Sequence, residues 1–207
     1  LMQACGVSTI FIGAGGVMSK MLTFTDGTLE TQGTMLLIFS MIIGSLIGSL
    51  LDIEQRLEEL GEFLKRKFHT EGDSLFVEGF VTSTLVICIG AMAIVGSIED
   101  GLTGNYSTLT AKAILDFVIV TIFASTLGKG VIFSALPLFL YQGAITCLAA
   151  IGGNFMSTEL IRQLSYVGSA LIFCVGVNIA FGKKFAVGNM LPALLIPIVY
   201  SIATSFM

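Results

Sequence analysis

The sequence has no tryptophan, one histidine (His69), three prolines and four cysteines. Charge is scarce too. Asp, Glu, Lys and Arg make up 12% of the 207 residues, where a soluble domain carries about 25%. Each shortage excludes a class of function. One histidine gives no Ser-His-Asp set and almost no material for a His/Cys metal site. Cys5, Cys88, Cys147 and Cys174 lie in apolar runs without CxxC spacing, so they read as small buried hydrophobes. No GxxxxGK[ST] and no GxGxxG between strand and helix is present, so no phosphate loop is expected. A net charge of -4 argues against a nucleic-acid partner, which needs a basic face.

What the chain has in excess is apolar surface. Hydrophobic residues reach 55% and mean hydropathy is +0.95. A chain this short cannot hide that much in one water-facing core, and disorder needs the opposite composition. The expected class is all-α, a polytopic transmembrane helical bundle in a single domain, with the lipid bilayer as its first partner. The opening Leu1-Met2-Gln3-Ala4-Cys5 has neither an initiator Met nor a basic signal-peptide region. It reads as a chain entered partway.

A span needs ~20 apolar residues. Seven are expected, over 3–18, 35–51, 75–97, 111–128, 131–150, 164–182 and 190–206. Polar loops separate them at 23–34, with Asp26-Gly27 as the turn, at 98–106, at 152–163 and at 183–189. Pro137 and Pro197 are expected kinks, and Pro192 falls in a first turn. Between the second and third spans, Ile53, Leu57, Leu60, Leu64 and Phe68 recur at helical spacing. Acids lead this stretch and Lys65, Arg66 and Lys67 close it. Residues 52–68 therefore read as an amphipathic cytoplasmic helix, on the membrane surface or packed under the bundle. Loop bases divide as seven (Arg56, Lys65, Arg66, Lys67, Lys129, Lys183, Lys184) against three (Lys20, Lys112, Arg162). The positive-inside rule puts the first set in the cytoplasm and the C-terminus outside.

Two glycine-rich interruptions stand out. Cys88-Ile89-Gly90-Ala91-Met92-Ala93-Ile94-Val95-Gly96-Ser97-Ile98-Glu99-Asp100-Gly101 loses bulk and ends in acids. Ala124-Ser125-Thr126-Leu127-Gly128-Lys129-Gly130-Val131-Ile132-Phe133-Ser134 clusters small and hydroxyl residues. Unwound backbone at membrane depth can hold an ion or substrate. Close helix packing and a plain turn are the competing readings. Asp116 is the carboxylate set deepest in an apolar run, a candidate for a coupling proton or Na⁺; an interfacial carboxylate is the alternative. Candidate ligands are Gly90, Met92, Gly96, Ser97, Asp100 and Asp116, with Ser125, Thr126, Gly128 and Ser134. Glu78 reads as interfacial, and Gln142 and Asn178 as interhelical hydrogen bonders. Ser40, Gly44 and Gly48 permit close helix approach within the subunit or across a dimer. Gly6–Gly13 resembles Gly168–Gly176, and the two helices run oppositely by the loop count. That is the pattern of an inverted repeat.

The segments IGSLIGSLLDIEQRLEELGEFLK, FVEGFVTSTLVICIGAMAIVGSIEDGLTG, FASTLGKGVIFSALPLFLYQG and VGNMLPALL resemble the YdfK/YqgA-type family of bacterial multipass inner-membrane proteins. The resemblance runs over nearly the whole chain. It implies class and location, assigns no catalytic residues, and implies one further glycine-rich helix before Leu1, hence eight spans with both ends outside. The function expected is a small secondary, ion-coupled transporter, working as a homodimer on a small solute or ion. A pore, or a structural or regulatory membrane subunit, is the alternative. An enzyme is not expected, and no cofactor beyond the coupling ion.

Overall fold

Small residues decide where the helices meet. Helix α1 (Met2–Met21) and α8 (Thr158–Phe181) lie against each other without side chains between them. A methyl group on Gly6 would strike the backbone of Ala180, one on Gly13 that of Phe173, and one on Gly176 that of Ile10. The register runs antiparallel and sets residues 6–13 against 173–180, so the two segments that resemble each other in sequence overlap only in part. Helix α2 (Thr34–Leu51) buries Ser40, Gly44 and Gly48. Gly44 rests on Ala193 and Gly48 on the Asn189 carbonyl, so this stripe serves packing within the subunit. The outer face of α2 is apolar and exposed (Ile38, Phe39, Ile42, Leu46, Leu50).

These elements belong to a computed structural model that describes residues 2–25, 28–70, 72–89, 91–152 and 157–205. Packing divides it into two units, one of residues 3–54 with 156–207 and one of residues 55–155. The first holds α1, α2, α8, α9 (Val187–Met190), a 3₁₀ turn (Leu191–Leu194) and α10 (Leu195–Ser205). It also holds a hairpin that the sequence reading took for loop. Strands β1 (Leu22–Thr25) and β2 (Thr28–Thr31) pair antiparallel, Leu22 with Thr31 and Thr25 with Thr28. Asp26 and Gly27 lie outside the described residues, between strands whose Thr-rich text suits a sheet.

Asp52 sits in the left-handed region at φ 47° and donates its N–H to Gly48. It separates α2 from α3 (Ile53–Lys67). The first turn of α3 then locks onto α9. Glu54 is buried; its Oε2 accepts the Gly188 N–H at 2.9 Å, and its Oε1 pairs with Lys183 Nζ at 2.6 Å. Its own N–H donates to Asn189 Oδ1 at 2.8 Å. A carboxylate from one helix thus caps the start of another, satisfying N–H groups that a helix N-terminus leaves open. The connection read as a plain turn, 183–189, is held on both sides, because Asn178 Oδ1 also accepts the N–H groups of Lys184 and Phe185.

The second unit holds the rest of α3 with α4 (Phe76–Ile89), α5 (Ala91–Thr103), α6 (Ser107–Leu127), a 3₁₀ turn (Lys129–Ser134) and α7 (Ala135–Gly152). Here α3 buries Leu64 and sets Gly61 against Phe80 and Val77, while Leu60, Phe63 and Phe68 stay exposed. The apolar stripe of α3 is therefore only partly buried. Asp73 repeats the cross-element cap. Its carboxylate accepts the N–H of Leu75 and, from the 3₁₀ turn, that of Lys129.

The same order occurs in both units. A long helix ends at a glycine with φ 79° (Gly128, Gly182), a lysine follows, and a 3₁₀ turn leads into a helix whose third residue is proline (Pro137, Pro197). Each proline thus follows directly on the change from 3₁₀ to α geometry, in the first α-helical turn, where the missing N–H is tolerated. Five described helices are long and apolar enough to cross a membrane (Gln3–Met21, Thr34–Leu51, Ser107–Leu127, Lys129–Ile151, Glu159–Phe181). The expected third span is instead two helices, Phe76–Cys88 and Met92–Thr103, bent by 71°. The expected seventh is the shorter apolar stretch Val187–Ser201.

Candidate intramembrane site

Helix α6 begins a full turn before hydropathy would start it. Asn105 Oδ1 accepts the Ser107 N–H, and the helix then runs through Thr108 and Lys112. Its inward stripe recurs every three to four residues and changes character along its length. Thr108, Lys112 and Asp116 come first; Phe123 and Leu127 finish it, both buried. Lys112 is 5% exposed, and its Nζ pairs with Asp116 Oδ2 four residues on. At 1.5 Å per residue, Asp116 stands ~14 Å into the helix, near its midpoint.

Neighbouring helices supply more polar groups. Thr108 donates to Glu99 Oε2 on α5 at 2.6 Å, and beside it Gly96 of α5 lies against Leu109. Cys88 on α4 lies within electrostatic reach of Lys112 and Asp116, and Tyr141 on α7 within reach of Cys88. Among the described residues of this unit, three buried side-chain atoms have no hydrogen-bond partner: Thr84 Oγ1 on α4, Ser97 Oγ on α5 and Gln142 Nε2 on α7. They contrast with Ser83, whose hydroxyl donates to the Gly79 carbonyl at 2.5 Å. A buried unpaired polar atom costs about 1–3 kcal/mol.

The residues singled out from sequence separate into two groups. Around the bend, Gly90 lies outside the described residues and Met92 is exposed. Gly96 and Ser97 are buried, and Asp100 is half-buried. Asp116 faces Lys112. The second cluster is folded into helix ends. Ser125 donates to Ile122 O, Thr126 to Ile122 O and Phe123 O, and Ser134 to Val131 O. Gly128 closes α6 beside Asp73. Those hydroxyls are spent on their own helices, so the unspent polarity lies with Ser97, Lys112 and Asp116, not with 124–134. Lys112, a loop base by the charge count, is a site residue that hydropathy alone does not mark. The opposite charge at i+4 in an apolar helix was the available signal. Among the described residues, no group of three or more His, Cys, Asp or Glu could hold a metal ion.

Comparison with known proteins supplies the family. The model of the family described as "Protein of unknown function (DUF554)" matches residues 1–202. The chain belongs to that family. Uncharacterized membrane protein YdfK of Bacillus subtilis (strain 168) is 34% identical over 198 residues, 95% of this chain and 80% of that one. Uncharacterized protein YqgA of Escherichia coli (strain K12) is 30% identical over 174 residues, 81% of this chain and 73% of that one. No solved structure matches. The DUF554 chain is a multipass helical membrane protein, and the resemblance read from its motifs holds.

Proposed function

We propose that this DUF554 protein is a small secondary transporter of the bacterial inner membrane, with its site on the inward stripe of α6. The observation that carries the reading is the pair of a buried Lys112 and a half-buried Asp116, the acid near the middle of an apolar helix. Charges at such depth are costly, and they mark substrate and ion paths. The bent pair α4–α5 supports it, since broken helices are how many carriers build a site. The packing of α1 on α8 supports the inverted repeat, whose two copies are expected to run in opposite directions.

The orientation belongs to the same proposal. With Lys112 inside α6, the outer side keeps Lys20, in the last turn of α1, and Arg162, near the start of α8, against the seven bases assigned to the cytoplasm, which favours the positive-inside assignment. A cysteine placed at Lys65 is expected to react with a membrane-impermeant maleimide in inverted vesicles and not in intact cells. The reverse pattern would overturn the orientation.

Reconstitution tests the activity. Proteoliposomes are expected to show saturable, gradient-driven uptake that Asp116→Asn removes, with no conductance steps in a planar bilayer. Ohmic conductance indifferent to Asp116→Asn would replace the carrier with a pore.

A further inference from the structure

The second unit carries several polar groups that its own hydrogen bonds leave unspent. Lys112 has three N–H donors, and among the described residues one acceptor, Asp116, takes one of them. Gln142 Nε2 is a donor without an acceptor, and the hydroxyls of Thr84 and Ser97 are unpartnered. Thr84 and Ser97 are 4% and 0% exposed, too deep for bulk solvent to serve. Helices α4 and α5 both contact α6, and both contact α7. Thr84 is one helical turn from Cys88, on the same face of α4, and Gln142 is next to Tyr141. The surplus of fixed sign is therefore of donors, the remaining N–H groups of the Lys112 ammonium and those of the Gln142 amide, while the hydroxyls of Thr84 and Ser97 can donate or accept. A metal cation needs the reverse, a cage of oxygens.

We infer that this site binds a small anion, a carboxylate or other oxyanion, on the Lys112 ammonium, and that Asp116 takes up a proton as the anion arrives. The inference rests on the transport reading above and names its substrate class and coupling ion. In the empty site Lys112 and Asp116 neutralise each other. An anion that pairs with Lys112 leaves Asp116 beside a second negative charge, and a like charge raises a carboxylate's proton affinity. A proton from the same compartment then bonds to the free Asp116 oxygen. Loaded with a monoanion, the site holds Lys112⁺, the anion and a neutral acid, so its net charge equals that of the empty one. When the anion leaves, Asp116 loses the proton and pairs with Lys112 again. Proton and anion cross together, and a monoanion moves without net charge.

The other titratable groups on the packed elements leave this role to Asp116. Glu78 lies in the first turn of α4. Glu99 accepts Thr108, and Asp100 follows it toward the end of α5. Cys88 on α4 and Tyr141 on α7 are neutral donors, Cys147 on α7 is exposed, and Lys129 begins the 3₁₀ turn.

Binding can be read without transport. The full chain in detergent is unfolded thermally in sodium succinate, phosphate or sulfate, against sodium chloride of equal ionic strength, at two pH values. At least one of the three oxyanions is expected to raise Tm saturably, by roughly 5–10 °C at a hundredfold excess over Kd. The rise is larger at the lower pH. Lys112→Met removes it; Asp116→Asn keeps it and removes its pH dependence. Should Lys112→Met fail to fold, the loss of pH dependence in Asp116→Asn decides alone. A flat response to all three salts, a rise that survives Lys112→Met, or one that follows the cation instead overturns the inference. Saturable binding without uptake of the same anion into proteoliposomes leaves the anion site standing and overturns the transport reading.

Discussion

Replacing Glu54 with alanine should cost this protein more than any loss of an exposed charge pair could. Two bonds to the carboxylate disappear, and they are unequal. The Gly188 N–H at 2.9 Å loses a charged acceptor in a buried place, which is worth about 1.5–3 kcal/mol. The Lys183 bond is shorter at 2.6 Å, but that lysine is 63% exposed, so water screens it to below about 1 kcal/mol. The start of α9 also loses the negative charge that complements its open N–H groups, an effect of about 0.3–1 kcal/mol that overlaps the first. The sum is roughly 2–4 kcal/mol. A chain of this size shifts by about 2–4 °C per kcal/mol, so Glu54→Ala should lower Tm in detergent by roughly 4–16 °C. Glu54→Gln keeps an oxygen for Gly188 and should fall between Glu54→Ala and the unaltered protein. Lys183→Met should cost less than about 1 kcal/mol. A double-mutant cycle between positions 54 and 183 should then return a coupling below about 1 kcal/mol. The reasoning fails if Lys183→Met costs as much as Glu54→Ala, or if Glu54→Ala melts within 2 °C of the unaltered protein, a threshold of about 1 kcal/mol.

Two further substitutions separate packing from propensity. On α1, Gly13→Ala drives a methyl group into the Phe173 backbone, whereas Gly15 has open space around it. Gly13→Ala should destabilise by about 1–3 kcal/mol and Gly15→Ala should stabilise by up to about 1 kcal/mol, read as opposite shifts in Tm. At Gly128, φ 79° and the Asp73 carboxylate oxygen 2.8 Å from a built Cβ both oppose a side chain. Gly128→Ala should therefore cost more than Gly104→Ala, which shares the positive φ but meets no atom within 4 Å. Equal losses at the two glycines would remove Asp73 from the account.

Hydropathy made the long apolar helices legible, because α2, α6 and α8 are nearly continuous apolar runs in the sequence. What it blurred were features whose cause lies elsewhere in the chain. The caps by Glu54 and Asp73 join residues far apart in sequence, and each acid looked like an ordinary member of a polar run. The bend between α4 and α5 was readable from loss of bulk around Gly90–Ser97, yet the helix after it continues to Thr103, through acids that read as loop. The most instructive misreading is Lys112. A hydropathy window begins a span where the apolar run begins, so it set the start of α6 at 111 and left the lysine at its edge. The first turn of α6 is polar on the face that carries Thr108 and Lys112, and its Asn105 and Glu99 bonds hold it helical all the same. The polarity of a site thus hides the helix that carries it, because scarcity of apolar residues is the signal such a reading uses to end a span. An opposite charge at i+4 across that apparent edge was the remaining clue. It turns an isolated acid, Asp116, into half of a pair and moves the candidate site from the glycine clusters to the inward stripe of α6.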